Sequence, residues 1–414
     1  MMETPLTALV LGGGGARAAY QVGVLQALSR LRRQALGAEA STANPFGIII
    51  GTSAGAINSA ALASRADHFD EAVEVLGQVW SDFHADQVYR ADSLGVIRSG
   101  AQWLTMLSLG WALARWRRFR PRSLLDNQPL SELLKRLVPM DRLPQMLAEG
   151  HLHALAVTAS SYSTGEHVTF YSARQPIEPW VRTQRQAIAS ELSHDHLLAS
   201  SAIPFIFPAA RIQHEDHGAW YGDGSMRQSA PLSPAIHLGA RRLLVVGAGR
   251  MLEPSAQRTP DRRYPSLAQI AGHALSNIFL DALAVDVERL SRVNRTLALL
   301  PPEALSQTPL RPVEFLVIAP SQRLDDIAAR HINALPGPVR TLLHGAGVGQ
   351  PGRPQVQGSA LASYLLFEAP YTRELMALGE ADTLARQDEV CRFFGWPDAR
   401  QALNPLPRET PRAA

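Results

Sequence analysis

Twice within its first 64 residues the chain runs from a short apolar stretch through a glycine turn into a helix-like pattern. Thr7–Leu11 ends at four consecutive glycines, Gly12 to Gly15, after which Val22, Leu25 and Leu28 recur at helical spacing over residues 16–31. Residues 46–50 repeat the arrangement, followed by a glycine turn and an alanine-rich helix over 53–64. Short strands apolar at every position belong in a sheet covered on both faces, and strand–helix alternation implies parallel pairing. The expected fold is therefore α/β: three α/β/α layers around a central, mainly parallel sheet. A chain of 414 residues can bury such a core unaided. Its one cysteine, Cys391, excludes a disulfide framework and a cysteine-based metal cluster, and suits a reducing compartment.

Further along, residues 70–148 read as mostly helical, including 102–118 and 130–137, and give a helical insertion at about 81–137. Strands are expected at 153–159, 167–171, 242–246 and 313–319, and helices at 184–200 and around 266–294. Glycine and proline dominate 335–358, which reads as a mobile loop or linker; residues 360–394 are helical and the polar tail frays. Residues 6–240 carry all the motifs below, 241–334 complete the same α/β domain, and 335–414 form the linker, helical part and tail.

With 40 basic against 37 acidic residues, charge alone points to no nucleic-acid partner. The N-terminus lacks a basic region and an A-x-A site, so no secretory signal is read. Of two uncharged stretches, 41–64 contains Pro45 and three glycines, and 99–114 falls short of the roughly 20 residues a span requires. No transmembrane helix is expected, and the location is cytoplasmic. Residues 102–122 place Trp103, Trp111 and Trp116 beside Arg115, Arg117, Arg118, Arg120 and Arg122. That pattern has two readings: an interfacial helix making peripheral contact with anionic lipid, or a core-packed helix with a solvated basic end.

Gly51-Thr52-Ser53-Ala54-Gly55 is a G-x-S-x-G between an apolar strand and a helix. In that setting a serine is held on a sharp turn with its hydroxyl exposed, and the flanking glycines Gly51 and Gly55 remove Cβ atoms that would clash. The helix starting there aims N–H groups at a developing oxyanion. The earlier loop, Gly12-Gly13-Gly14-Gly15-Ala16-Arg17, lacks the third glycine and acidic strand end of a dinucleotide site, and the G-K-[ST] of a P-loop. An oxyanion loop with a basic residue is the third reading. For a base the chain offers 13 histidines, mostly in polar segments such as His194-Asp195-His196 and 214–217. Asp223, in Tyr221-Gly222-Asp223-Gly224-Ser225, is the stronger candidate, since a partly buried carboxylate can accept a serine proton directly.

The segment LGGGGARAAYQVGVL, the GTSAG turn, SAIPFIFP and the Asp-Gly-Ser turn occur in this order, and together they resemble the patatin-like phospholipases, lipid acyl hydrolases using a Ser–Asp dyad. The resemblance covers roughly residues 6–240. It implies Ser53 as nucleophile, Asp223 as base, Gly13, Gly14 and Gly15 as oxyanion donors, and Arg17 as the loop's basic residue. Two positions depart from the family's habit: Ala18 replaces a glycine after the basic residue, and Ser225 follows Asp-Gly in place of glycine or alanine.

The expected activity is cleavage of fatty-acyl esters of phospholipids or lysophospholipids, with no cofactor and no metal. Ser53 forms an acyl-enzyme, Asp223 serves as base, and the Gly13–Gly15 amides with Ala54 hold the oxyanion. Two alternatives stand beside it. One is a Ser–His–Asp esterase using a late histidine such as His237 or His273; the other is a phosphate-binding module built on Gly12–Gly15.

Overall fold

The computed structural model describes residues 5–37, 42, 44–90, 123–214, 217–251, 265–345, 347–348 and 358–397. The tryptophan–arginine segment, read as an interfacial or a core-packed helix, and the middle of the helical insertion lie outside them. The described strands are β1 (Thr7–Leu11), β2 (Ile48–Thr52), β3 (Ala154–Ser161), β4 (His167–Ala173), β5 (Val181–Arg182), β6 (Arg185–Ala189), β7 (Ala210–His214), β8 (His217–Asp223), β9 (Arg242–Val246) and β10 (Glu314–Ile318). They make one mixed sheet in the order β10-β9-β1-β2-β3-β4-β6-β5, with β8 pairing both β3 and β7. The five strands from β10 to β3 are mutually parallel.

The strand period of two explains why these segments are apolar throughout. Leu9 and Leu11, Ile49, Leu155 and Val157, and Leu244 and Val246 point to one face, into a core shared with the helices Ala19–Leu36, Ala54–Ala63, Phe69–Ser81 and Ala369–Leu384. Ala8 and Val10, Ile48 and Ile50, Ala154 and Ala156, and Leu243 and Val245 point to the other, under the helices Ser233–His237 and Ala282–Leu297. Both faces are covered, which makes the fold α/β/α.

One irregularity brings the candidate residues Ser53 and Asp223 together. Along β3, residues 154–160 have β4 on one side. On the other side β2 runs up to the pair Thr52–Thr158 and stops, and β8 continues from the pair Asp223–Ala159, running the opposite way. Strands β2 and β8 thus meet head-on in one slot beside β3. A purely parallel sheet gathers functional residues at its carboxyl edge; here an antiparallel strand delivers Asp223 to that edge.

Several elements differ from their expected bounds. The second strand lies two residues later, at Ile48–Thr52. Residues 184–200 are not one helix: Arg185–Ala189 pairs with β4 as a strand, and the helix is confined to His194–Ser200. Pairing outweighed local helix propensity there. Within the stretch expected to be a loop, Gly337–Gly345 is helical and buries Val339 and Leu343; residues 349–357 lie outside the described set. The stretch Leu267–Leu297 is long and apolar enough, by length and composition, to cross a membrane, a property of that segment which the sequence reading did not weigh. In the fold it connects the paired strands β9 and β10, as a crossover helix interrupted by a π turn at Asn277–Asp281.

Candidate active site

Strand β2 ends at Thr52 and the next helix begins at Ala54, so Ser53 alone makes the corner, at φ 56° and ψ −131°. A non-glycine residue in that region is strained, and the surroundings hold it there. A Cβ on Gly51 would strike Ala56 and the Gly55 carbonyl, and one on Gly55 would strike the carbonyls of Leu11 and Gly12. Glycine is thus required at both places because backbone packs on backbone. The Ser53 N–H donates to Ser200 Oγ at 2.8 Å. Below it, Thr52 Oγ1 and Thr158 Oγ1 are 2.8 Å apart and Gln228 Nε2 donates to Thr52 Oγ1 at 2.9 Å.

Ser53 Oγ donates to Asp223 Oδ2 at 2.6 Å, while Asp223 Oδ1 accepts the Ser225 N–H at 2.9 Å. The aspartate is fully buried. Burial pushes its pKa up to about 6, although the hydrogen bonds from Ser53 and Ser225 pull the other way. The candidate histidines lie away from this pair: His194 Nε2 is 2.9 Å from the Val138 carbonyl and His196 Nδ1 is 3.0 Å from Ser193 Oγ. His196 closes a capping box with Ser193, and His194 meets the end of the helix Gln128–Leu137. His237 stands edge-on to Trp180 and His273 lies on an exposed helix face. His167 is buried and held neutral, its pKa lowered to about 4 chiefly by burial. None of them hydrogen-bonds Ser53 or Asp223.

The glycine loop lies against this pair. A Cβ on Gly13 would come within 3.0 Å of Ser53 Cβ, and Gly15, at φ +55°, lines the same cavity as Ser53. A Cβ on Gly14 would meet Ala248 and Arg17. The loop is tied down from behind: Gln21 Nε2 donates to the Gly12 carbonyl at 2.7 Å, Asn58 Nδ2 to Gln21 Oε1 at 3.0 Å, and Trp80 Nε1 to Asn58 Oδ1 at 2.9 Å. Ala18, buried in the turn after the loop, offers its carbonyl to Asn58 Nδ2 at 3.3 Å.

Arg17 corrects an expectation. As a basic residue of the loop it was to add positive potential at the oxyanion, but its side chain is 2% exposed and its charge is met elsewhere. Nη2 lies 2.5 Å from Asp325 Oδ1, Nε donates to Ser363 Oγ at 2.8 Å, and the guanidinium stacks 4.1 Å from the Tyr364 ring centre. It clamps the loop to the C-terminal helices Leu324–His331 and Ser359–Leu365. Ser200, Gln228, Asp325 and Ser363 all escaped the sequence reading; each is a single common polar residue with no local pattern to announce it.

Beside Ser53 and Ala54 opens an apolar cavity lined by Ile57, Trp80, Phe83, Leu130, Leu133, Leu137, Phe207 and Phe367. Its free space is about 30 Å³, room for roughly one water, so a longer guest must part the lining. A wider surface groove of about 780 Å³, between Met140–Leu147 and strands β4 and β6, shares no residue with Ser53, Asp223 or the glycine loop. The cavity at Ser53 is covered and apolar, with the Ser53–Asp223 pair beside it, whereas Ser193 on the groove meets His196.

A sequence model described as patatin-like phospholipase matches residues 9–236, more than half of the chain. Among solved structures, VipD from Legionella pneumophila is similar at 13% identity over 90% of this chain and 67% of its own, with a TM-score of 0.32. The type III effector protein ExoU is similar at 17% identity over 94% of this chain and 88% of its own, with a TM-score of 0.27. ExoU of Pseudomonas aeruginosa in complex with SpcU gives 15% identity over 90% of this chain and 70% of that one, at 0.26. A search of curated proteins found no match.

Proposed function

The chain belongs to the patatin-like phospholipase family, a family of lipid acyl hydrolases, and on that premise we propose that it cleaves fatty-acyl esters of phospholipids or lysophospholipids through a Ser53 acyl-enzyme. The observation that carries this reading is the 2.6 Å hydrogen bond from Ser53 Oγ to the buried carboxylate of Asp223, at the mouth of an apolar cavity.

Asp223 takes the Ser53 proton as Oγ attacks the ester carbonyl carbon. A base with pKa near 6 is ionised at neutral pH and still basic enough to share the proton in the transition state. The oxyanion is held by N–H groups of Gly13, Gly14, Gly15 and Ala54, the last at a helix start. The Ser53 N–H is occupied by Ser200 and takes no part. Asp223 then gives its proton to the leaving alkoxide, and the acyl chain rests among Ile57, Trp80, Leu133 and Phe367. Water hydrolyses the acyl-enzyme with the same aspartate as base.

The test is a panel of phospholipids and lysophospholipids with product analysis, run beside fluorophosphonate labelling of the wild type and of Ser53→Ala. Release of free fatty acid and labelling are both expected to disappear in Ser53→Ala while its melting temperature is kept. Wild-type turnover in that variant removes Ser53 as nucleophile. Labelling without fatty-acid release from any lipid removes the substrate class.

A further inference from the structure

Ser225 follows the Asp223-Gly224 turn and is 4% exposed. Its N–H is used by Asp223 Oδ1, but its hydroxyl, shut off from solvent, makes no hydrogen bond of good geometry. Buried hydroxyls are almost always paired, and an unpaired one weakens the fold. The direction of this one is informative. A Cβ built on Gly13 would collide with Ser225 Oγ and also touch Ser53 Cβ at 3.0 Å. The hydroxyl therefore shares a small space with the glycine loop and the Ser53 side chain, beside the carboxyl of Asp223, whose ionised form it favours.

We propose that the Ser225 hydroxyl holds and orients the water that attacks the Ser53 acyl-enzyme, so that it serves the second half-reaction and not the first. The proposal rests on the reading of Ser53 as nucleophile and Asp223 as base. In the free enzyme Ser53 Oγ–H itself occupies Asp223 Oδ2, and acylation needs no third group. Once Oγ is esterified it has no proton to give, and Oδ2 is open to a proton of water. A water that donates one proton to Asp223 Oδ2 and the other to Ser225 Oγ has its lone pair turned toward the acyl carbon, whose oxygen lies at the glycine loop. The water oxygen then bonds to that carbon and its proton passes to Asp223. The carbon–Oγ bond breaks, Ser53 recovers the proton, and the fatty acid leaves. Without Ser225 the water keeps its base but loses its second anchor, and misplacement of a reacting group by about 1 Å can cost on the order of a hundredfold in rate.

The experiment is pre-steady-state hydrolysis of p-nitrophenyl butyrate by wild type and Ser225→Ala, with intact-mass detection of the acyl-enzyme. The variant is expected to acylate at the wild-type rate, to accumulate acyl-Ser53, and to turn over at least about tenfold more slowly. Hydroxylamine, a stronger nucleophile, should restore its turnover. Its melting temperature should stay close to that of the wild type, because the hydroxyl lost makes no hydrogen bond of good geometry. Unchanged turnover, or a burst slowed as much as the steady state, overturns the proposal. If fluorophosphonate fails to label wild-type Ser53, the nucleophile reading itself falls and Ser225 with it. A labelled wild type with full turnover in Ser225→Ala removes the water site alone.

Discussion

Ser53 and Asp223 are 170 positions apart in the chain and 2.6 Å apart in the fold, because β2 and β8 enter the same slot beside β3 from opposite directions. The serine leaves at the end of one strand and the carboxylate arrives at the end of the other. Neither side chain has to reach. Geometry of this kind is fixed by ladder registers and not by loop conformation, so the pair is formed before substrate arrives.

The pH profile follows from the buried carboxyl. Asp223 must be ionised to accept a proton, and its pKa stands near 6. The expected kcat/KM rises with pH to a midpoint near 6 and is flat above it. Carboxyl ionisation is nearly athermal, so the midpoint should hold its position on warming. A limb that moves to lower pH on warming would indicate an imidazole and displace Asp223 as the base.

Stability should respond in the opposite sense. A carboxyl whose folded pKa is raised from 3.8 to about 6 favours the fold when protonated, below pH 3.8, and that contribution is lost as pH rises through 6. At about 1.4 kcal/mol per unit, the cost to the fold at neutral pH reaches about 3 kcal/mol. Asp223→Asn should therefore be inactive yet melt above the wild type at neutral pH, with the gain vanishing near pH 4. Thermal unfolding at both pH values checks this; a variant less stable at neutral pH contradicts the sign.

Asp325→Ala should be among the more damaging substitutions far from the chemistry. It leaves the Arg17 guanidinium buried without its carboxylate, which typically costs about 3 kcal/mol or more, and it loosens the loop that carries Gly13 and Gly15. A drop in kcat with little change in KM is expected, together with a lower melting temperature. Arg17→Lys should not substitute, since a lysine cannot both stack on Tyr364 and fork between Asp325 and Ser363. A Lys variant with full activity would show that charge alone suffices.

The cavity at Ser53 should set acyl-chain length. Leu133→Phe adds bulk to a space with only about 30 Å³ free and is expected to shift preference toward shorter chains. Competition between short- and long-chain p-nitrophenyl esters measures the shift. An unchanged ratio places the acyl chain elsewhere.

Metal removal should leave activity intact. The proton and oxyanion roles are assigned to Asp223 and backbone N–H groups, and no step calls for a Lewis acid. Activity lost with EDTA and restored by calcium or zinc would overturn the mechanism.

What could be seen in the sequence was what the backbone dictates locally. The Ser53 turn announces itself because only glycine fits at Gly51 and Gly55, and the Asp223 turn because Gly224 packs on Thr158. Partnerships made across the fold were invisible. Arg17 reads as a free cation until Asp325 and Ser363, 308 and 346 positions away, are placed against it. The strand Arg185–Ala189 reads as helix because its partner β4, which fixes it as a strand, is set by tertiary pairing and not by its own residues.

The clamp on Arg17 also orders events in time. Arg17 leaves the ribosome 346 positions ahead of Ser363, and Tyr364, which also grips it, follows. Once β8 has emerged, Ser53, Asp223 and the strands that bring them together are all present, yet the glycine loop stays unbraced until the helix Ser359–Leu365 follows.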